Sequence, residues 1–389
     1  MSRSFSLAKF IKTGSLLLAF MLTALILLFV NSIPVYAVTP AQLGGPSNAE
    51  CLACHAQANE PILLPSGEPL FLRVDIPLFG NSVHGRNGVT CVTCHSDITG
   101  FPHPEVVATN LHDYRIGFIG VCAACHAEQV NATEDSIHGR LLGEGNPYAP
   151  SCADCHDPHT QPFVDEVNKA EFAQVCGQCH NGIYEQYAQS VHGKALIEEN
   201  NEDVPGCIDC HGVHSISDPT TAEFRNSSIY LCADCHTDKE KMAKYGLSTN
   251  VLSSYVSDFH GTTVTLFEKT EPGQKTNTAV CYDCHGIHDI LSVNDPERGL
   301  AIKENMLMAC QKCHPDASAN FPSSWLSHYM PDKDRFPLVY YVDLFYKILI
   351  PTVLGGMAIF ILSDIFRRVR TSRQKPVLEN VDHDESEQE

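Results

Sequence analysis

The chain is short of basic residues and of tryptophan. Lys and Arg total 26 against 46 Asp and Glu, a formal charge of −20, and 389 residues contain a single Trp. A nucleic-acid footprint needs a clustered basic face, so DNA and RNA are excluded as partners. Hydrophobic residues make up 43% and charged residues 19%. This is neither the polar composition of a disordered chain nor the apolar one of a polytopic membrane protein.

Long apolar runs are few, and each has a distinct context. Arg3, Lys9 and Lys12 precede an apolar stretch from Leu16 to Val30, followed by a small-residue site at Val35-Tyr36-Ala37. This reads as an export signal with cleavage expected after Ala37. A retained signal anchor is the alternative, and either one exports the chain beyond Ala37. A second run from about Phe345 to Leu362 is interrupted by Lys347, preceded by Tyr340 and Tyr341, and followed by Arg367, Arg368, Arg370, Arg373 and Lys375. A single transmembrane helix is predicted, with the tyrosines at the outer interface and the arginines holding the C-terminus inside; a buried core helix is the alternative. The expected organisation is a signal at 1–37, an extracytoplasmic domain at 38–337, a membrane helix at 338–366 and a cytoplasmic tail at 367–389. The tail is acidic from Glu379 to Glu389 and is expected to be disordered.

No cysteine falls outside one pattern. All 18 lie in nine copies of C-x-x-C-H: Cys51 and Cys54, Cys91 and Cys94, Cys122 and Cys125, Cys152 and Cys155, Cys176 and Cys179, Cys207 and Cys210, Cys232 and Cys235, Cys281 and Cys284, Cys310 and Cys313. The pattern is the attachment site of c-type haem, in which two thiols bond the porphyrin and the next residue is the proximal iron ligand. Those ligands are His55, His95, His126, His156, His180, His211, His236, His285 and His314. Zinc knuckles or disulfides would not demand a His after every second Cys. Nine c-type haems are therefore expected.

The remaining histidines also repeat. One set precedes Gly, in Ser-Val-His84-Gly, Ser-Ile-His138-Gly, Ser-Val-His192-Gly and Asp-Phe-His260-Gly. Another follows a proximal His by three residues, at His159, His214 and His288. Aligned, these give a di-haem unit beginning near residues 51, 122, 176 and 232, with a half unit near 310 that includes His328. The first unit departs from the pattern, because His103 follows His95 at eight residues and His112 lies nearby. A His three residues beyond a proximal ligand faces away from that ligand's own haem, so it is expected to serve a neighbouring one. Distal candidates are His84, His103, His138, His159, His192, His214, His260, His288 and His328. His112 is the spare, and His383 belongs to the tail. Spacing alone does not assign each candidate to a haem.

On these motifs the sequence resembles the multihaem c-type cytochromes, of the cytochrome c3-like and membrane-anchored respiratory kinds, over about residues 50–330. The expected fold is mainly α with extensive irregular loops, a haem-cored array of di-haem repeats, plus one C-terminal transmembrane helix. The resemblance implies delivery of quinol-derived electrons to periplasmic or extracellular acceptors beside an integral-membrane quinol-oxidising or b-type subunit.

The chemistry points the same way. Iron with two histidine ligands is saturated, passes single electrons and sits at the low-potential end. The extracytoplasmic region offers roughly 33 residues per haem, too few to keep the porphyrins apart. The membrane run contains no His, so a quinol-oxidising partner is needed at the cytoplasmic membrane. The acidic domain and its haem propionates call for a soluble redox partner with a basic face. An electron-transfer protein, rather than an enzyme, is the expected function. The competing reading is a terminal reductase of a small nitrogen or sulfur oxyanion at a pentacoordinate haem, which would require some of His103, His112 or His328 not to ligate. The stretch Thr262–Ala279 is expected to be a surface loop, and the sequons at Asn131 and Asn226 to be chance matches.

Overall fold

The computed structural model describes residues 45–372 except 326, 327 and 335. The predicted export signal, His383 and the acidic tail lie outside the described residues. The chain divides into two compact units, one ending at Val167 and the other beginning at Asn168. Each is mostly helical. Among the described residues the only sheet is a two-stranded hairpin in the first unit, Ile62–Leu63 with Pro69–Leu70, paired Ile62 to Leu70 and Leu63 to Pro69.

The C-x-x-C-H segments are helical in two ways. The motifs at Cys91, Cys152, Cys207 and Cys281 form isolated one-turn helices, Cys91–Cys94, Cys152–Cys155, Cys207–His211 and Cys281–His285. Those at Cys122, Cys176, Cys232 and Cys310 belong to longer helices, Ile119–Glu134, Lys169–Gly177, Ala222–His236 and Lys303–Gln311. In the first of these His126 leaves helical geometry at φ −111°, ψ 39° and kinks the helix. One helical turn is what the motif needs, since residues three apart share a face.

The His-Gly tetrapeptides are helix starts. Ser82, Ser136, Ser190 and Asp258 are N-caps whose side-chain oxygens accept from the amides of Gly85, Gly139, Gly193 and Gly261 at 3.0–3.1 Å. Such a cap contributes about 1 kcal/mol. The three serines are buried. The glycine is needed for space rather than for φ: a Cβ would lie 1.8–2.1 Å from the carbonyl oxygen of Phe79, Thr133, Tyr187 or Tyr255, six residues back in each case. The histidine in between is thus held on a capped turn pressed against the preceding chain.

Apolar packing is sparse. In the second unit Ala173, Tyr187 and Leu196 form one buried cluster, and Ile229, Tyr255, Val264 and Val280 another. Tyr187 and Tyr255 occupy equivalent repeat positions, and their hydroxyls donate at 2.7 Å to the carbonyls of Pro205 and Ala279, just before the motifs at Cys207 and Cys281. Large side chains such as Phe71, Phe101, Tyr148 and Phe259 remain exposed.

The stretch 262–279 corrects the loop expectation. Residues up to Thr270 continue the Phe259–Thr270 helix, because Val264 is fully buried in the apolar cluster. The rest is tied down: the buried Asn226 amide donates to Pro272 and Gln274 carbonyls at 3.0 Å, and Thr276 donates back to Asn226. The Asn226 sequon is therefore inaccessible.

The C-terminal helix runs Pro337–Ser372, beyond the sequence-read span at both ends. Proline at its first position suits a helix start. Its most apolar stretch is wholly exposed and long enough to cross a bilayer, so it is not a core helix of this chain. Lys347 is not isolated, since Asp343 one turn earlier accepts from it at 2.6 Å.

Replacing Gly193 with Ala should lower the stability of the haem-loaded protein by about 1–3 kcal/mol, the usual cost of overpacking. Thermal unfolding followed by circular dichroism and the Soret band would measure it.

Candidate functional site: opposed histidine pairs

Seven of the nine proximal histidines face a distal candidate across a constant gap. Ring centroids are 6.2 Å apart for His55 and His103, His126 and His84, and His95 and His159. They are 6.3 Å apart for His236 and His192 and for His314 and His260. They are 6.1 Å apart for His211 and His288 and for His285 and His328. With a metal–nitrogen bond of about 2 Å on each side and roughly 1.1 Å from nitrogen to ring centre, two imidazoles on one metal stand about 6 Å apart. Contacting rings with nothing between them would have no reason to repeat that value seven times. The gap fits one haem iron.

The distal residues cross between repeats. Each paired His-Gly histidine belongs to the unit before its partner motif: His84 with His126, His192 with His236, His260 with His314. Each paired C-H-x-x-H histidine comes from the unit after: His159 with His95, His288 with His211. The ends of the repeat break the rule where it must break. His55 has no preceding unit and faces His103, while His285 has no complete following unit and faces His328. The first unit's irregular spacing and the half unit at 310 are explained together. His138, His156, His180 and His214 complete the two sets and are also engaged with other groups. His112 sits in the Leu111–Ile116 helix and, among the described residues, opposes no other histidine.

Hydrogen bonds fix which nitrogen is free. His55, His84 and His103 place Nδ1 at 2.8, 3.0 and 3.2 Å from the carbonyls of Leu72, Pro158 and Pro104. A carbonyl only accepts, so Nδ1 carries the proton and Nε2 keeps its lone pair for a metal. Ser254 gives its own proton to Asn250, so His328 Nδ1 donates to the Ser254 oxygen at 3.4 Å. Burial holds the His192 and His285 imidazoles down to about 4, and holds His95, His159, His211 and His236 below the ordinary value. Neutral imidazole is the ligating form.

Thiols order the motifs. The first cysteines meet in hydrogen-bonded pairs: Cys51 with Cys91, Cys122 with Cys152, Cys176 with Cys207, Cys232 with Cys281. The second cysteine then lies beside the next motif: Cys94 near Cys125, Cys210 near Cys232 and Cys235, Cys284 near Cys310 and Cys313. Within each compact unit the motifs follow one another in space as they do in sequence. None of the eighteen cysteines is joined to another in a disulfide.

One repeated element escaped the sequence reading. Seven residues before Cys122, Cys176 and Cys232 stand Arg115, Lys169 and Arg225. They pair with Asp154, Asp209 and Asp283, the third residue of the following C-x-D-C-H motif. Each aspartate also accepts from the amide just before its motif, at 2.7 Å from Ser151, Gly206 or Val280. Arg225 is bidentate, at 3.1 and 2.8 Å, and donates further to Thr278 and Tyr282. Lining up the four units on their first cysteines would have revealed the charge pair.

The comparisons with known proteins bear on the motifs. The family model for the doubled CXXCH motif matches residues 146–183, which contain the motifs at Cys152 and Cys176. The multihaem cytochrome MtrA of Shewanella baltica (strain OS185) is 25% identical over 183 residues, covering 42% of this chain and 51% of that protein. The chain thus spans about half the length of this curated relative. No solved structure matches. Motifs and likeness together support the binding of several c-type haems.

Arg225→Ala should destabilise the second unit by about 1.5–3 kcal/mol, the range for hydrogen bonds to a charged group, read by denaturant titration of the haem-loaded protein. His103→Ala should convert one low-spin ferric haem per chain to high spin, whereas His112→Ala should leave the electron paramagnetic resonance (EPR) spectrum unchanged.

Proposed function

We propose that this protein is a membrane-anchored nonahaem cytochrome c that carries electrons between the quinol pool, or a membrane partner, and periplasmic or extracellular acceptors. The observation that carries the proposal is the set of seven opposed imidazole pairs at 6.1–6.3 Å. The cysteines would hold the porphyrins, the paired histidines would fill both axial positions, and the haem would supply a one-electron Fe(III)/Fe(II) couple. Iron ligated in this way has no vacancy for a substrate, so no bond is made or broken at it. Of His103, His112 and His328, some of which the reductase reading needs to be non-ligating, His103 and His328 face a proximal histidine.

The motif at Cys310 lies nearest in sequence to the exposed helix Pro337–Ser372, and arginines cluster at that helix's end. The proposed orientation puts the haem domain on the extracytoplasmic face, with electrons entering near His314 from an integral-membrane quinol-oxidising or b-type subunit. They leave through the other end of the haem series to a soluble redox partner with a basic face.

Haem counting and low-temperature EPR on the oxidised full-length protein test the proposal. Nine haems per chain, all low spin, are expected. A high-spin haem that binds nitrite or hydroxylamine would replace the conduit with a reductase. Truncation after Pro331 should release a soluble, haem-loaded domain from membranes; retention of that variant would assign the anchor to the N-terminus.

A further inference from the structure

The seven imidazole pairs share one spacing but not one orientation. Their interplanar angles fall into two groups that follow the ligand class. Where the opposing histidine is His103, His159, His288 or His328, the planes are 26°, 14°, 28° and 20° apart. Where it comes from a His-Gly turn, as with His84, His192 and His260, they are 62°, 52° and 58° apart. No pair lies between 28° and 52°. The twist goes with the elements on both sides: the twisted proximal histidines follow motifs in the longer helices Ile119–Glu134, Ala222–His236 and Lys303–Gln311, and their distal partners come from His-Gly turns. On the His-Gly side the distal histidine sits on a capped turn seated close against the carbonyl six residues back, an approach that its glycine allows.

We infer that the repeat encodes two electronically distinct kinds of haem, near-parallel and twisted. The inference rests on the bis-histidine reading of the proposed function. In a low-spin ferric ion one hole occupies a d orbital of π symmetry, and each imidazole raises the d orbital that overlaps its filled ring orbital. Near-parallel rings raise the same orbital; twisted rings raise two different ones. The splitting between the two π-type orbitals scales with the cosine of the interplanar angle, staying near its maximum in the first group and falling to roughly half in the second. A large splitting stabilises the hole, and hence the ferric state. The twisted haems, on His126, His236 and His314, are therefore easier to reduce than near-parallel haems in like surroundings. From the motif at Cys207 to that at Cys310 the kinds alternate: near-parallel on His211, twisted on His236, near-parallel on His285, twisted on His314.

The test is quantitative EPR of the oxidised, haem-loaded, full-length protein with a reductive titration. Two low-spin populations are expected: a rhombic one containing at least four haems and a highly anisotropic, large-g one containing at least three. His159→Ala should remove one haem from the rhombic population, and His192→Ala one from the anisotropic population. As the potential falls, the anisotropic signals should disappear first. A single rhombic population integrating to nine, or both variants depleting the same population, would overturn the two-kind inference. The reverse order of loss would overturn the ranking of potentials. High-spin haem in the unaltered protein would instead count against the bis-histidine reading, so the two failures are distinguishable. If either variant fails to assemble, the integrals of the unaltered protein still decide the question.

Discussion

Two imidazoles sharing one iron must stand about 6 Å apart and point their free nitrogens at each other. Seven histidine pairs among the described residues keep that distance. The buried apolar clusters are small, and the elements they join are the ones that carry histidines. Tyr187 and Tyr255 tie the turns that carry His192 and His260 to the motifs at Cys207 and Cys281. The amides of Val83 and Val191 bond at 2.8 Å to the carbonyls of Gln161 and Ile290, each two residues beyond a C-H-x-x-H ligand. The backbone thus clamps the two classes of distal histidine to one another, so a shift in one would disturb both.

Much of this was legible in the sequence. The proximal histidines are read from a motif whose spacing is chemical, and His159 and His288 face histidines of the preceding repeat, the direction expected for a residue three positions beyond a proximal one. The pairing itself was not legible, because a ligand can be supplied from any distance along the chain. His103 and His328 illustrate the difficulty: each substitutes for a repeat unit that is absent, and an absent unit leaves no local signal. The same holds for residues 262–270, where polar composition suggested a loop. A single buried valine, Val264, and the Asp258 cap decide for helix.

The charge pairs of Arg115, Lys169 and Arg225 occupy a different level. Lys169 and Arg225 join a longer motif helix to the one-turn helix next in the chain, and Arg115 reaches the next one-turn helix from the preceding helix Leu111–Ile116. Their side chains are only partly covered, 28% and 29% exposed for Arg225 and Asp283, so they add modest energy and strict geometry. The first unit lacks the pair, with Thr93 where the others have aspartate, and uses the Asn48 side chain to hold the Cys91 amide at 2.9 Å instead.

The crossed arrangement also says how such a chain can change length. Within each compact unit, a motif in a longer helix faces a His-Gly histidine of the repeat before it, and a one-turn motif faces a C-H-x-x-H histidine of the repeat after it. On the proposed bis-histidine reading, duplicating a whole repeat would preserve these opposed pairs, because the copy borrows and lends at the same offsets. Only the two termini need special residues, and His103 and His328 are those residues. The repeat is therefore extensible from its middle, and its reach is set by copy number rather than by redesign of any single site.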